Sequence, residues 1–187
     1  MSSHKIHRLT VLAIMIALDV FLTPIFRIEG MAFMSSLVNV VSGAVLSPAY
    51  AVAMALMTAM IRILTQAGVA SVAPLAILGA VPGAFLASFC YRLYPKTYLS
   101  FLGEFLGTGI IGSLVSAPVM VRYWSATAQG DSELMSKAAA AQSLFLFTPR
   151  FVGACLIGGI IALFVLEGLK RLPFFRDLQR NFGQRKD

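Results

Sequence analysis

The chain has 187 residues, 58% of them hydrophobic and only 12% charged, with a mean hydropathy of +0.83. A soluble domain carries about 25% charged residues, so this composition excludes a soluble globular domain and leaves a protein whose solvent is lipid. The formal net charge is +7, but the cations sit at the chain ends and in one loop beside apolar runs; they read as membrane-orientation signals with attraction to anionic lipid, not as a nucleic-acid surface.

A spanning helix needs ~20 mostly apolar residues, so the chain has room for roughly six and for no soluble catalytic domain. The expected fold is an all-α integral membrane protein, a six-helix bundle forming a single membrane domain over residues 1–187. The first span is predicted over residues 9–26, with Asp19 its only interior charge. The apolar run after Arg8 is too long for the core of a cleavable signal peptide and lacks a small-residue cleavage site. A short polar stretch at 27–30 follows. The second helix is short, 33–46. Ser47-Pro48 then breaks the chain, with Ser as a possible N-cap and Pro at the first helical position. The third span is predicted over 48–64, followed by a small-residue loop. The fourth covers 72–93, with Pro82 as a kink site. The fifth covers 99–121. Residues 122–142 read as the longest loop, and 143–172 as the sixth span, ahead of a basic tail.

Lys and Arg placement sets the expected orientation. Lys5, Arg8, Arg92, Lys96, Lys170, Arg171, Arg176, Arg180, Arg185 and Lys186 all fall on one side if both termini are cytoplasmic, and only Arg27, Arg122 and Lys137 fall outside. The small-residue pairs Gly79/Gly83, Gly103/Gly107 and Ala154/Gly158 are expected to let helix backbones approach closely. Cys90 and Cys155 lie in apolar runs and read as small packing residues.

Ionisable groups inside a membrane are functional candidates by default. Here they are Asp19, Arg62, Glu104 and Arg150. The alternative is that they form structural pairs, such as Asp19 with Arg62 or Arg150. On the second helix, Ser35, Ser36, Asn39, Ser42 and Gly43 share one face, which must look into protein or a water-filled cavity. Similar faces are expected at Thr58/Arg62/Gln66, Glu104/Thr108 and Ser143/Phe147/Arg150. With Glu29 and Trp124 they describe a small polar pocket with aromatic walls toward the outer side; scattered Ser and Thr satisfying helix backbones is the plainer alternative. The expected substrate-binding set is therefore Glu29, Ser35, Ser36, Asn39, Arg62, Glu104, Thr108, Trp124, Phe147 and Arg150. Ala13 and Ala17 form an AxxxA pair pointing away from Asp19. No P-loop and no HExxH motif is present, and His4 and His7 precede the first span. An enzyme, a metal site and a bound cofactor are therefore not expected.

The stretches RIEGMAFMSSLVN at 27–39, LSPAY at 46–50 and GEFLGTG at 103–109 resemble the ThiW family, as does the six-helix layout. These are substrate-binding S components of energy-coupling-factor (ECF) vitamin transporters. The resemblance implies uptake of hydroxyethylthiazole, the thiazole precursor of thiamin, across the cell membrane. It implies a membrane coupling subunit and two cytosolic ATPases as partners, with Ala13 and Ala17 matching the motif that docks the coupling subunit. It also implies that the protein topples in the membrane to release substrate inward. A pyrimidine precursor or thiamin itself remains an alternative cargo. A stand-alone channel or secondary transporter, and a ligand-free assembly subunit, remain alternative classes.

Overall fold

The computed structural model describes residues 3–26, 31–128, 131–143 and 145–182, and its long helices follow from apolar runs. In chain order the helices are α1 (Ser3–Ile25), α2 (Phe33–Val45), α3 (Pro48–Thr65), the single turn α4 (Ala67–Ala70) and α5 (Ala73–Leu93). Then come α6 (Thr97–Glu104), a π-helical segment (Phe105–Gly112), α7 (Ser113–Thr127), α8 (Ser132–Ala140), α9 (Thr148–Leu169) and α10 (Pro173–Asn181). Among the described residues five continuous helices are long and apolar enough to cross a bilayer: Lys5–Ile25, Pro48–Thr65, Ala73–Leu93, Thr97–Thr127 and Thr148–Leu169. Their outer faces carry exposed apolar side chains such as Phe21, Leu64, Phe89 and Phe164, as a lipid-facing surface requires.

α2 is the centre of the bundle. Its length of about 20 Å falls short of the ~30 Å hydrocarbon core. It packs instead against α1, α3, α5, α6, α9 and α10, and 11 of its 13 residues are buried. It ends where the sequence demands. Pro48 disfavours helical backbone at Ser47, and Leu46 and Ser47 are both extended. Ser47 holds the N-cap position of α3, yet its side chain makes no capping hydrogen bond.

The small-residue pairs of α5 and α6 mate with each other in antiparallel fashion. A Cβ added to Gly103 would strike the backbone at Leu86; one added to Gly107 would strike Pro82 and Gly83; one on Gly112 would meet Leu78 O at 2.8 Å. The contact row therefore steps from 103 to 107 by four and from 107 to 112 by five. That extra residue is what the π-helical segment absorbs. Gly158 makes a similar backbone approach to Phe33 and Leu37 on α2.

Three expectations change at the second half of the chain. The fifth helix does not stop at residue 121: it runs to Thr127 because Pro118, lying within it, is the only breaker in that stretch. The rest of the expected loop 122–142 contains α8. Asp131 caps that helix, accepting hydrogen bonds from the backbone N–H groups of Glu133 (2.8 Å) and Leu134 (3.4 Å), and Glu133 pairs with Lys137 at 2.6 Å. The last span begins at Thr148, not 143, with Pro149 in its first turn, and ends at Leu169. The basic tail begins as the amphipathic helix α10, whose Phe175, Leu178 and Gln179 pack under the bundle.

Candidate functional site

The N-terminal ends of α2, α5 and α9 and the C-terminal ends of α3 and α7 meet at one end of the bundle, opposite α10. Between them lies a cavity of about 500 Å³, within the usual range of ~300–1,000 Å³ for small-molecule sites. α8 supplies Leu134, Lys137 and Ala140 to its wall.

Of the residues expected at the site, Ser35, Ser36, Arg62, Thr108, Trp124, Phe147 and Arg150 line this cavity. Each has a local reason to be there. Ser35 and Ser36 are in the first turn of α2. Ser35 donates to Asp19 Oδ2 at 3.2 Å, and Thr23 donates to Oδ1 of the same fully buried carboxylate at 2.7 Å. The charge of Arg62 also acts on Asp19, so the interior acid is held by two hydroxyls and a cation rather than by Arg150. Trp124 has its indole N–H occupied, donating to Ser71 O at 3.2 Å, and its ring stands 6.3 Å from that of Phe147. The polar edge anchors the turn before α5, and the apolar faces serve the wall. The neighbouring Tyr123 donates to Ala70 O at 3.0 Å and reinforces the same corner.

The π-helical segment decides which face of this long helix looks inward. The buried row continues beyond Gly112 as Ser116, Met120 and Trp124, at steps of four. Counted in plain α-helical steps from Gly107, that row would pass through 111, 115, 119 and 123 instead. The one-residue offset brings Trp124 onto the row of Gly107 and Gly112.

Asn39 and Glu104 do not line the cavity; they form the layer beneath it. Glu104 is fully buried and accepts hydrogen bonds from Thr108 Oγ1 (2.9 Å) and Asn39 Nδ2 (3.3 Å). Thr108 Oγ1 also lies 2.7 Å from Gly79 O, and Asn39 Nδ2 lies 3.4 Å from Ala80 O. Glu104 Oε2 and Asn39 Oδ1 are buried acceptors with no hydrogen-bond partner among the described residues. Gly83 leaves the room that this layer needs, because a Cβ there would strike Thr108 Oγ1 and Glu104 Oε2. Cys155 packs behind the layer, 3.7 Å from Ser36 Oγ.

Arg150 was expected about two turns inside the last span. The later start of α9 puts it in the first turn, exposed at the cavity mouth. Ser143 lies outside α9, so the expected helical face Ser143/Phe147/Arg150 does not exist as a face. Glu29 lies outside the described residues. Ala13 and Ala17 are both exposed on the outer side of α1, away from Asp19. The sequence reading missed Leu134, Lys137, Leu75 and Phe151 at the cavity. The Asp131 cap and the Glu133/Lys137 spacing were the signals that could have found α8.

A helical membrane bundle that keeps such a cavity at one end has room to hold a small molecule. Residues 9–172 match the family model described as thiamine-precursor transporter protein (ThiW), and the chain belongs to that family. No similar curated protein and no similar solved structure was found. Membership makes this a multi-pass membrane protein that transports a thiamine precursor.

Proposed function

We propose that the cavity binds hydroxyethylthiazole and that the chain is the substrate-binding S component of an ECF-type importer in the cell membrane. The observation that carries this reading is the polarity gradient of the site. The mouth offers donors, on Arg62, Lys137 and Arg150. The layer under the floor offers spare acceptors, on Glu104 Oε2 and Asn39 Oδ1. Trp124, Phe147 and Phe151 form the wall between them. A small aromatic ring with an acceptor nitrogen and a hydroxyl tail suits these donors and this wall, with the Ser36 and Thr108 hydroxyls lining the cavity above that layer. Thiamin and the pyrimidine precursor stay as alternative cargoes.

In this reading the chain is one membrane domain with six membrane helices, α2 being the short one, and both termini cytoplasmic. Among the described residues Lys5, Arg8, Arg92, Lys96, Lys170, Arg171, Arg176 and Arg180 lie toward the α10 end, and Arg62, Arg122, Lys137 and Arg150 toward the cavity end, an excess that supports an outward-facing cavity. The exposed Ala13/Ala17 strip is the docking surface for a membrane coupling subunit, which two cytosolic ATPases would drive.

The test has two parts. The purified chain should bind hydroxyethylthiazole by titration calorimetry. Ala13→Phe or Ala17→Phe should abolish ATP-dependent uptake in cells while leaving that binding intact. Uptake by the isolated chain in proteoliposomes, without ATPases, would favour a stand-alone transporter instead.

A further inference from the structure

Arg62, Lys137 and Arg150 line the cavity, and among the described residues no carboxylate does. The three cations are not equivalent. The charge of Arg62 acts on buried Asp19. Lys137 is held by Glu133 at 2.6 Å. Arg150 makes no hydrogen bond or ion pair with any described residue, so among the described residues nothing offsets its positive charge at the mouth.

We infer that the cavity sorts thiamine-related rings by charge: it admits a neutral thiazole and refuses the same ring as a cation, with Arg150 setting the choice. The inference rests on the thiazole reading above. Two opposing effects must be weighed. The aromatic wall favours a cation, by about 2- to 30-fold for a well-placed ring. A bound cation about 6–8 Å from an uncompensated guanidinium, at an effective dielectric constant of about 20, is disfavoured by roughly 30- to 100-fold. The indole N–H of Trp124 is already spent on Ser71 O, so its ring is fixed for packing and cannot turn to follow a cation. Repulsion therefore wins, and Lys137 adds to it. The consequence is chemical selectivity. Thiamin, whose thiazole is permanently alkylated and positive, is rejected even though its ring has the shape of the precursor.

The experiment uses the full-length purified protein and a matched pair of ligands, hydroxyethylthiazole and its N-methylthiazolium derivative. Titration calorimetry gives the ratio of the two affinities on one preparation, a readout that a reduced folded fraction does not alter. Wild type should prefer the neutral ring, by up to about 50-fold. Arg150→Lys should keep the preference, and Arg150→Gln should shrink it by roughly the 30- to 100-fold that the guanidinium contributes. In the wild type, raising the salt concentration should also shrink it, because Arg150 is exposed to solvent. Equal affinity for the two rings in wild type overturns the inference while leaving the thiazole reading standing, as does an unchanged ratio in Arg150→Gln. Binding of neither ring removes the thiazole reading itself, and the charge sorting with it. Should Arg150→Gln fail to fold, the wild-type ratio and its salt dependence decide alone.

Discussion

Gly83→Ala is the substitution on which local propensity and the cavity floor disagree most sharply. In a helix interior Ala is favoured over Gly by about 0.8–1 kcal/mol. On that ground alone the variant should be stabilised. At Gly168, also helical, an added Cβ meets nothing within 4 Å, and Gly168→Ala should show that gain. At Gly83 the same Cβ would overlap Thr108 Oγ1 and Glu104 Oε2, and neither can retreat freely. Thr108 is tied to Gly79 O at 2.7 Å and to Glu104 at 2.9 Å, and Glu104 is fully buried. Overpacking of a filled interior costs about 1–3 kcal/mol. Breaking the Thr108–Gly79 bond in a buried site costs about 1–3 kcal/mol more. Subtracting the propensity gain leaves a loss of about 1–5 kcal/mol. Thr108 also lines the cavity, so ligand affinity should fall about 2- to 13-fold, the worth of one neutral hydrogen bond. Equilibrium unfolding in detergent micelles, with Gly168→Ala as the reference, reads the first effect, and calorimetric titration reads the second. A Gly83→Ala protein as stable as Gly168→Ala would refute the account of the polar floor.

Two further outcomes follow from parts of the bundle away from that floor. Gln179→Leu removes the side chain that donates to Ala44 O at 3.0 Å and to Tyr91 Oη at 2.7 Å, so thermal unfolding should show a loss of about 1–3 kcal/mol, with substrate affinity unchanged at the opposite end; a parallel fall in affinity would show that α10 acts on the cavity. Deleting lipid-facing Ile111 should be tolerated, because the π-helical segment can give up its extra residue, whereas deleting equally lipid-facing Ile160 turns the rest of α9 by about 100° and should abolish folding; equal damage from the two deletions, measured as monodisperse yield and thermal stability, would contradict the assigned register.

The parts of this fold legible in the sequence are those that hydropathy and period govern. The apolar runs are long, and Pro48 marks the α2–α3 break sharply. The serines of α2 fall at i, i+3 and i+4 spacings that no lipid-facing helix tolerates. Of the expected site, Ser35 and Ser36 needed little beyond that logic to reach the cavity, whereas Trp124 reaches it from a helix that runs on to Thr127 through the expected loop. What escaped was set by quantities that hydropathy does not carry. α8 is held by a cap and an ion pair, not by apolar content. The charges of α10 suggested an orientation signal, although Phe175, Leu178 and Phe182 recur at i, i+3 and i+7. The π-helical segment left one trace, the shift of small residues from Gly103 and Gly107 to Gly112, which requires knowing the partner helix to interpret. Depth within the bundle was also invisible. Asn39 and Thr108 read as equals, yet one lies beneath the floor and the other lines the cavity.

That difference in depth explains how a helix too short to span can be the centre of a membrane protein. Every polar group that α2 brings into the low-dielectric interior must find a partner or a use, since an unpaired one costs about 1–3 kcal/mol. At its far end the needs are met within the protein: Ser42 donates to Asn39 O at 3.0 Å, Ser100 donates to Val40 O at 2.8 Å, and Gln179 reaches from α10 to Ala44 O. In the middle they are met in part, by Asn39 and Glu104 with one spare acceptor each. At the cavity, Ser35 donates to Asp19 at 3.2 Å and Ser36 has a 3.7 Å contact with Cys155. Along α2 the unpaired acceptors thus sit in the layer under the cavity, away from the α10 end. The saturated end can be sealed by an amphipathic helix at no polar cost. The unsaturated end is stable only beside water or a ligand that supplies the missing partners, and it is there that a transport protein must exchange one for the other.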